Sequence, residues 1–146
     1  MLDPLAVCQL QDLVARFANS FDLKQWDRLG QCLTATLHTD YSDLRGTPPE
    51  ILSRDEFVQR RRSALQDLQT HHLSGNLEVA LSGAIANLKV SMAIYRRNGA
   101  GETFNTHCLY FFGAEQEEGV WRINSITQKV LMSYGQPAIH DGLSKP

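Results

Sequence analysis

Leu10, Leu13, Val14, Phe17 and Phe21 recur every three or four residues and form one apolar stripe, which predicts an amphipathic helix. Asp3 can cap that helix, and Pro4 suits its first position. Asn19, Ser20 and Asp22 mark its end. A short second helix is expected over residues 24–32, burying Trp26, Leu29 and Leu33. Residues 36–41 alternate and are rich in β-branched and aromatic types, so a strand is expected there. Residues 45–49 read as a loop, because Pro48 and Pro49 forbid regular pairing. Ser53-Arg54-Asp55-Glu56 spells a capping box that opens a helix reaching about Leu68.

From Thr70 to Tyr134 the period changes to that of strands, and four long ones are expected. Asn98-Gly99-Ala100-Gly101 is a strong hairpin turn; Glu115 to Gly119 and Ser82-Gly83 mark two others. Helices followed by a run of antiparallel strands give an α+β fold, not a wound parallel sheet. Three helices on one curved, mostly antiparallel sheet would enclose a cavity, a natural ligand site.

A length of 146 residues suits one domain over 1–146. The formal net charge of -2 and the absence of a basic stripe leave no reason to expect a nucleic-acid or anionic-membrane partner. No apolar run is long enough to cross a bilayer, and Met1-Leu2-Asp3-Pro4 lacks the pattern of a secretory signal, so a cytoplasmic location is expected. Cys8, Cys32 and Cys108 are odd in number and scattered; buried free thiols are expected for all three.

Chemistry near neutral pH points first to the five histidines, at 38, 71, 72, 107 and 140. His71 and His72 are neighbours on a strand and face opposite ways, so only one can reach the cavity; alternation alone does not say which. Asp22, following the apolar stripe, can either cap the second helix or enter the cavity. On the expected first strand, Tyr41 and Asp43 share a face and Asp40 takes the other. Asn105, His107 and Leu109 share one face of a later strand, and the polar pair among them faces either solvent or a wet pocket. Arg60, Arg61 and Arg62 read as a solvated helix face. The sequence holds no Gly-rich phosphate loop, no G-x-S-x-G elbow and no H-E-x-x-H helix. The histidine spacing matches no metal template, so neither a metal nor another cofactor is expected.

Residues 18–29, Ala-Asn-Ser-Phe-Asp-Leu-Lys-Gln-Trp-Asp-Arg-Leu, resemble the first-helix segment of the scytalone dehydratase group. Residues 37–42 are similar to its first strand, residues 68–75 to its histidine strand, and Gly119-Val120-Trp121 to the Gly-x-Trp opening of the last strand in SnoaL-like proteins. The resemblance runs over roughly residues 11–129. It implies the cone-shaped fold of the nuclear transport factor 2-like superfamily. It also chooses His72 as the base and Asp22 as its partner, within hydrogen-bond reach, with Tyr41 holding a water.

The departures are specific. The family's second pocket tyrosine is Phe21 here, its second catalytic histidine falls near Met92 or Ile94, and its pocket asparagine falls on His107. No counterpart of its C-terminal phenylalanine lid is legible in residues 135–146. The implied activity is a lyase, a dehydratase acting on a small hydroxylated cyclic or aromatic ketone by His–Asp acid–base chemistry. Phe21, Met92, Ile94, Asn105 and His107 would line the substrate site, with His38 and His71 pointing away. An isomerase or cyclase would use the same base, and a non-catalytic binding module would use the same cavity. The resemblance further implies a homo-oligomer, a trimer or a dimer, formed through the outer sheet face, where Tyr110 and Phe112 are expected.

Overall fold

The computed structural model describes residues 3–140. The elements run α1 (Pro4–Asp22), α2 (Trp26–Gln31), β1 (Leu33–Asp40), α3 (Ser42–Arg45), β2 (Glu50–Ser53), α4 (Arg54–Leu65), β3 (Leu68–Ser82), β4 (Ile85–Asn98), β5 (Phe104–Glu117) and β6 (Val120–Gly135). A single 3-10 turn follows at Pro137–Ile139. The six strands make one curved, unclosed sheet in the order β2-β1-β6-β5-β4-β3. The β1–β6 pair is parallel and the other four are antiparallel. Register shifts at Gly75/Glu78, His107/Cys108 and Gly113/Ala114 interrupt the ladders, and such bulges bend the strands around the helices.

The apolar stripe of α1 behaves as its spacing demands: Leu10, Leu13, Val14, Phe17 and Phe21 are all buried. Asp3 caps this helix by accepting from the Leu5 N–H at 3.0 Å. Phe17 lies edge-on to both Phe21 and Phe112, linking the helix to the centre of the sheet. On β4 and β5 burial alternates strictly. Met92, Ile94 and Arg96 face the helices from β4, and Phe104, Thr106, Cys108, Tyr110 and Phe112 do so from β5.

Several local expectations need correction. Leu33 opens β1 instead of closing the second helix, although it is buried as expected. Tyr41 lies just beyond β1, at the N-cap of α3, so strand alternation with Asp43 does not apply to it. Among the described residues the α-helices therefore number four, one of them a single turn. β2 was not foreseen, because four residues that follow two prolines and end on the capping serine are too few to display a period. α4 stops at Leu65, and Leu68 already belongs to β3. Half of the capping box forms: Ser53 Oγ accepts from the Glu56 N–H at 3.1 Å, while the Glu56 carboxylate binds Arg60 at 2.7 Å. Cys8 is exposed, whereas Cys32 and Cys108 are buried free thiols.

The largest correction concerns β5. Tyr110 and Phe112 are core residues, not an outer surface, and Asn105 and His107 take the outer face. The strand must turn its more apolar set inward, and that set is the one holding Phe104 and Phe112. His107 stacks on Tyr134 at 5.8 Å and meets Tyr95 edge-on at 6.2 Å, with both tyrosines substantially exposed.

Gly135 ends β6 with φ of 104°, and a Cβ there would collide with the Thr103 carbonyl. The next residue, Gln136, donates its N–H to that same carbonyl at 2.8 Å, which steers the chain towards the buried His140. Gly135→Ala should therefore destabilise the fold by about 1–3 kcal/mol, the usual range for a side chain forced into a forbidden backbone region. Thermal denaturation followed by circular dichroism would measure it, and an unchanged melting temperature would contradict the constraint.

Candidate active site

Asp22 is the last residue of α1, and β3 is the outermost strand on its side of the sheet. An edge strand leaves backbone groups without a strand partner. Asp22 satisfies one of them: its Oδ2 accepts from the His72 N–H at 2.8 Å. Its Oδ1 accepts from the Thr70 hydroxyl at 3.0 Å and lies 2.6 Å from His72 Nδ1. An ionised carboxylate can only accept, so Nδ1 carries the proton and Nε2 keeps its lone pair. The alternative role for Asp22, capping α2, does not occur; that helix has Gln25 at its N-cap and no side-chain cap.

His72 is buried and His71 is exposed, so the strand presents the second histidine of the pair to the interior. Phe21 stacks on the His72 ring at 5.1 Å and 24°. His38 is exposed, as expected. His72, Phe21, Ile94 and Tyr41 all line a cavity of about 30 Å³ between the sheet and the helices. Met92 is fully buried on the same face of β4 but is not among the residues lining the cavity. Asn105 and His107, expected to line it, lie on the opposite side of the sheet, where Asn105 Oδ1 accepts from the Arg96 N–H at 3.2 Å.

Their places are taken by residues that sequence reasoning did not select. Tyr110, Gln128, Arg96, Arg61 and His140 all line the cavity. Gln128 Nε2 donates to the Tyr110 hydroxyl at 2.9 Å, which leaves the phenolic hydrogen free to point elsewhere. Arg96 donates to the Thr106 hydroxyl at 3.1 Å. Arg61 was expected on a solvated face, yet it is buried; its guanidinium lies 4.5 Å from the centroids of both Tyr41 and Phe57. Consecutive residues on a helix cannot share a face, and the spacing Phe57, Arg61, Leu65 was the available signal that Arg61 sits on the buried side. Among the described residues, no three His, Cys, Asp or Glu side chains gather as a metal site.

Charge states follow from burial and contacts. Burial pushes the His72 pKa below its ordinary value, against the hydrogen bond and charge of Asp22, and the positive charge of Arg96 adds to the push. Burial alone would raise the Asp22 carboxyl, but the His72 contacts and the Thr70 hydroxyl together hold it below the usual range. Burial and the neighbouring Tyr41 and Cys108 raise Tyr110 well above an ordinary phenol, so it stays protonated. At neutral pH the site therefore holds a neutral imidazole, an ionised carboxylate behind it and a phenolic donor.

Both shifts in the pair act on stability in one direction. An unfolded chain protonates histidine near pH 6.5, where the folded His72 still refuses the proton. Below about pH 4 the unfolded Asp22 binds a proton that the folded one rejects. The unfolded state binds more protons in both windows, so stability falls as pH falls. The melting temperature should decline from pH 7 to pH 5, and His72→Gln should flatten that decline. An identical slope in the variant would contradict the placement of His72.

The arrangement can be compared with known proteins. Residues 5–127 match the model of the SnoaL-like domain. Over 48 residues the chain is 46% identical to the scytalone dehydratase-like protein claB of Passalora fulva; the match covers 33% of this chain and 30% of that protein's length. A putative scytalone dehydratase from Novosphingobium aromaticivorans superposes with a TM-score of 0.81 at 12% identity, over 90% of this chain and 88% of the other. A type 2 hexachlorocyclohexane dehydrochlorinase superposes with a TM-score of 0.78 at 16% identity, over 97% and 95%. Identities this low speak for the fold alone. With a matching domain model over most of its length, the chain belongs to the SnoaL-like domain family and has the nuclear transport factor 2-like fold.

Proposed function

We propose that the chain is a lyase, a dehydratase that removes water from a small hydroxylated cyclic or aromatic ketone. The carrying observation is the 2.6 Å contact between His72 Nδ1 and Asp22 Oδ1, in a ring that also lines the cavity. Nε2 of His72 takes the proton α to the substrate carbonyl. Asp22 fixes the tautomer and stabilises the imidazolium that forms, the orienting role of a triad carboxylate without the serine. Tyr41, through water, and the protonated Tyr110 would donate to the enolate oxygen as charge develops. His72 then returns its proton to the departing hydroxyl, so that one C–H and one C–O bond break, a double bond forms and water leaves. His107 has no part in this step, because it lies across the sheet. The substrate's own carbonyl acidifies the C–H bond.

A second reading, a ligand-binding module without turnover, draws on the cavity's size. About 30 Å³ holds water, not a ring. A cleft of about 270 Å³ adjoins it, and Tyr41, Arg45 and Arg61 line both spaces. Swinging those side chains aside would join them into a volume near the lower end of small-molecule sites, about 300 Å³. Substrate binding would therefore require this wall to move.

Screening phenolic and polyketide ketones for loss of water by mass spectrometry would identify a substrate. On it, His72→Gln should cost about 10²–10⁴-fold in kcat with the fold intact. Asp22→Asn should be severely impaired, since an amide cannot stabilise the imidazolium. The acidic limb of kcat/KM should lie below the ordinary histidine value of about 6.5, because burial depresses His72. Near-normal rates in His72→Gln would refute the mechanism.

We also propose a homo-oligomer, a trimer or a dimer, assembled through the outer sheet face that exposes Leu73, Tyr95, Met132 and Tyr134. Light scattering should give a multiple of the chain mass at micromolar concentration, reduced by Tyr134→Glu. A monomer mass for the native chain would overturn it.

A further inference from the structure

Arg60 and Arg61 are neighbours on α4 and are treated in opposite ways. Arg60 is exposed and doubly neutralised, by Glu50 at 2.9 Å and Glu56 at 2.7 Å. Arg61 is only 6% exposed, yet among the described residues it has no hydrogen bond and no ion pair; its guanidinium lies over the rings of Tyr41 and Phe57. Ordinarily the buried charge is the one that needs a partner. Arg61 lines both the cavity of His72 and the adjoining cleft.

A second buried cation lines the same cavity. Arg96 is 5% exposed and donates to neutral oxygens, the Phe104 carbonyl at 3.4 Å and the Thr106 hydroxyl at 3.1 Å. Among the described residues no Asp or Glu lines the cavity, and Asp22 is turned to the far side of the imidazole. Among the described residues, Arg61 and Arg96 thus face a cavity that no carboxylate lines, and Glu50, on the adjoining cleft, is held by Arg60 at 2.9 Å. One neutral atom is also unsatisfied: Gln128 Oε1 is buried at the cavity without a donor.

We propose that the molecule bound here is an organic oxyanion, its charged oxygens seated on the Arg61 guanidinium and a hydroxyl donated to Gln128 Oε1. The planar guanidinium fork fits a carboxylate in bidentate fashion and also receives an ionised phenol or enol. This rests on the reading of the cavity as the substrate site and narrows the substrate to a hydroxylated acid or an acidic phenol. If Arg61 serves packing alone, an apolar residue of similar size would serve as well and would leave ligand choice untouched.

Binding isotherms on the full chain test this with matched probes: 3-hydroxybenzoate against 3-hydroxybenzyl alcohol, and 4-nitrophenolate against 4-nitroanisole. At least one anion should bind about tenfold or more tightly than its neutral counterpart, and which one does so assigns the oxyanion as carboxylate or phenolate. Arg61→Met should abolish that preference, weakening the anion at least about tenfold more than its neutral counterpart. If the methionine variant does not fold, Arg61→Lys, which keeps the charge and loses the fork, should reduce the preference severalfold. His72→Gln should retain the preference, because holding a charge needs no base; loss of turnover there thus speaks to the elimination chemistry and not to the anion. Equal or undetectable affinity for all four probes, or a preference that survives Arg61→Met, overturns the proposal.

Discussion

The carboxylate of Asp22 is the contact on which the rest of the site depends. It sits at the C-terminal end of α1, where the helix dipole opposes a negative charge. Three donors from β3 offset that: the Thr70 hydroxyl, the His72 amide and the His72 ring. The same three bonds fasten the longest helix to an edge strand and occupy an amide that could otherwise pair with another chain. Fold and candidate chemistry are coupled here, because the group that orients the imidazole also sets the distance between helix and sheet.

Burial then sorts the protonation states. His72 and Asp22 lie side by side, yet one is held neutral and the other ionised, since desolvation dominates the ring while three donors dominate the carboxylate. Tyr110, deeper in the core, keeps its proton. A site with one good acceptor at Nε2 and a phenolic donor opposite suits proton transfer next to a carbonyl. Arg61 and Arg96, which line the same cavity, would also favour negative charge developing in it.

Strand alternation told which residues of β5 travel together, and both sets were read correctly. It did not tell which set faces the helices. The resemblance placed His107 in the pocket, whereas the side bearing Phe104 and Phe112 buries more apolar area and turns inward. Arg96 could have been found by extending the period of Met92 and Ile94, and Arg61 from its spacing to Phe57 and Leu65. Charge argued against burying either, and only the neighbouring rings and hydroxyls make that burial tolerable.

By itself the sequence determined the α+β class, the four long strands and their turns, the stripe that docks α1, and the candidacy of His72 with Asp22 through residues that resemble a family. These are matters of period, turn chemistry and local string, which the chain carries without knowing its neighbours. Tertiary structure decided which face of each strand meets the helices, that Tyr41 leaves its strand to wall the cavity, and that Tyr110, Gln128, Arg96 and Arg61 converge on His72. Those residues lie on α4, β4, β5 and β6, and their convergence depends on how a curved sheet closes over the helices, a sum of contacts between distant segments that no local window contains.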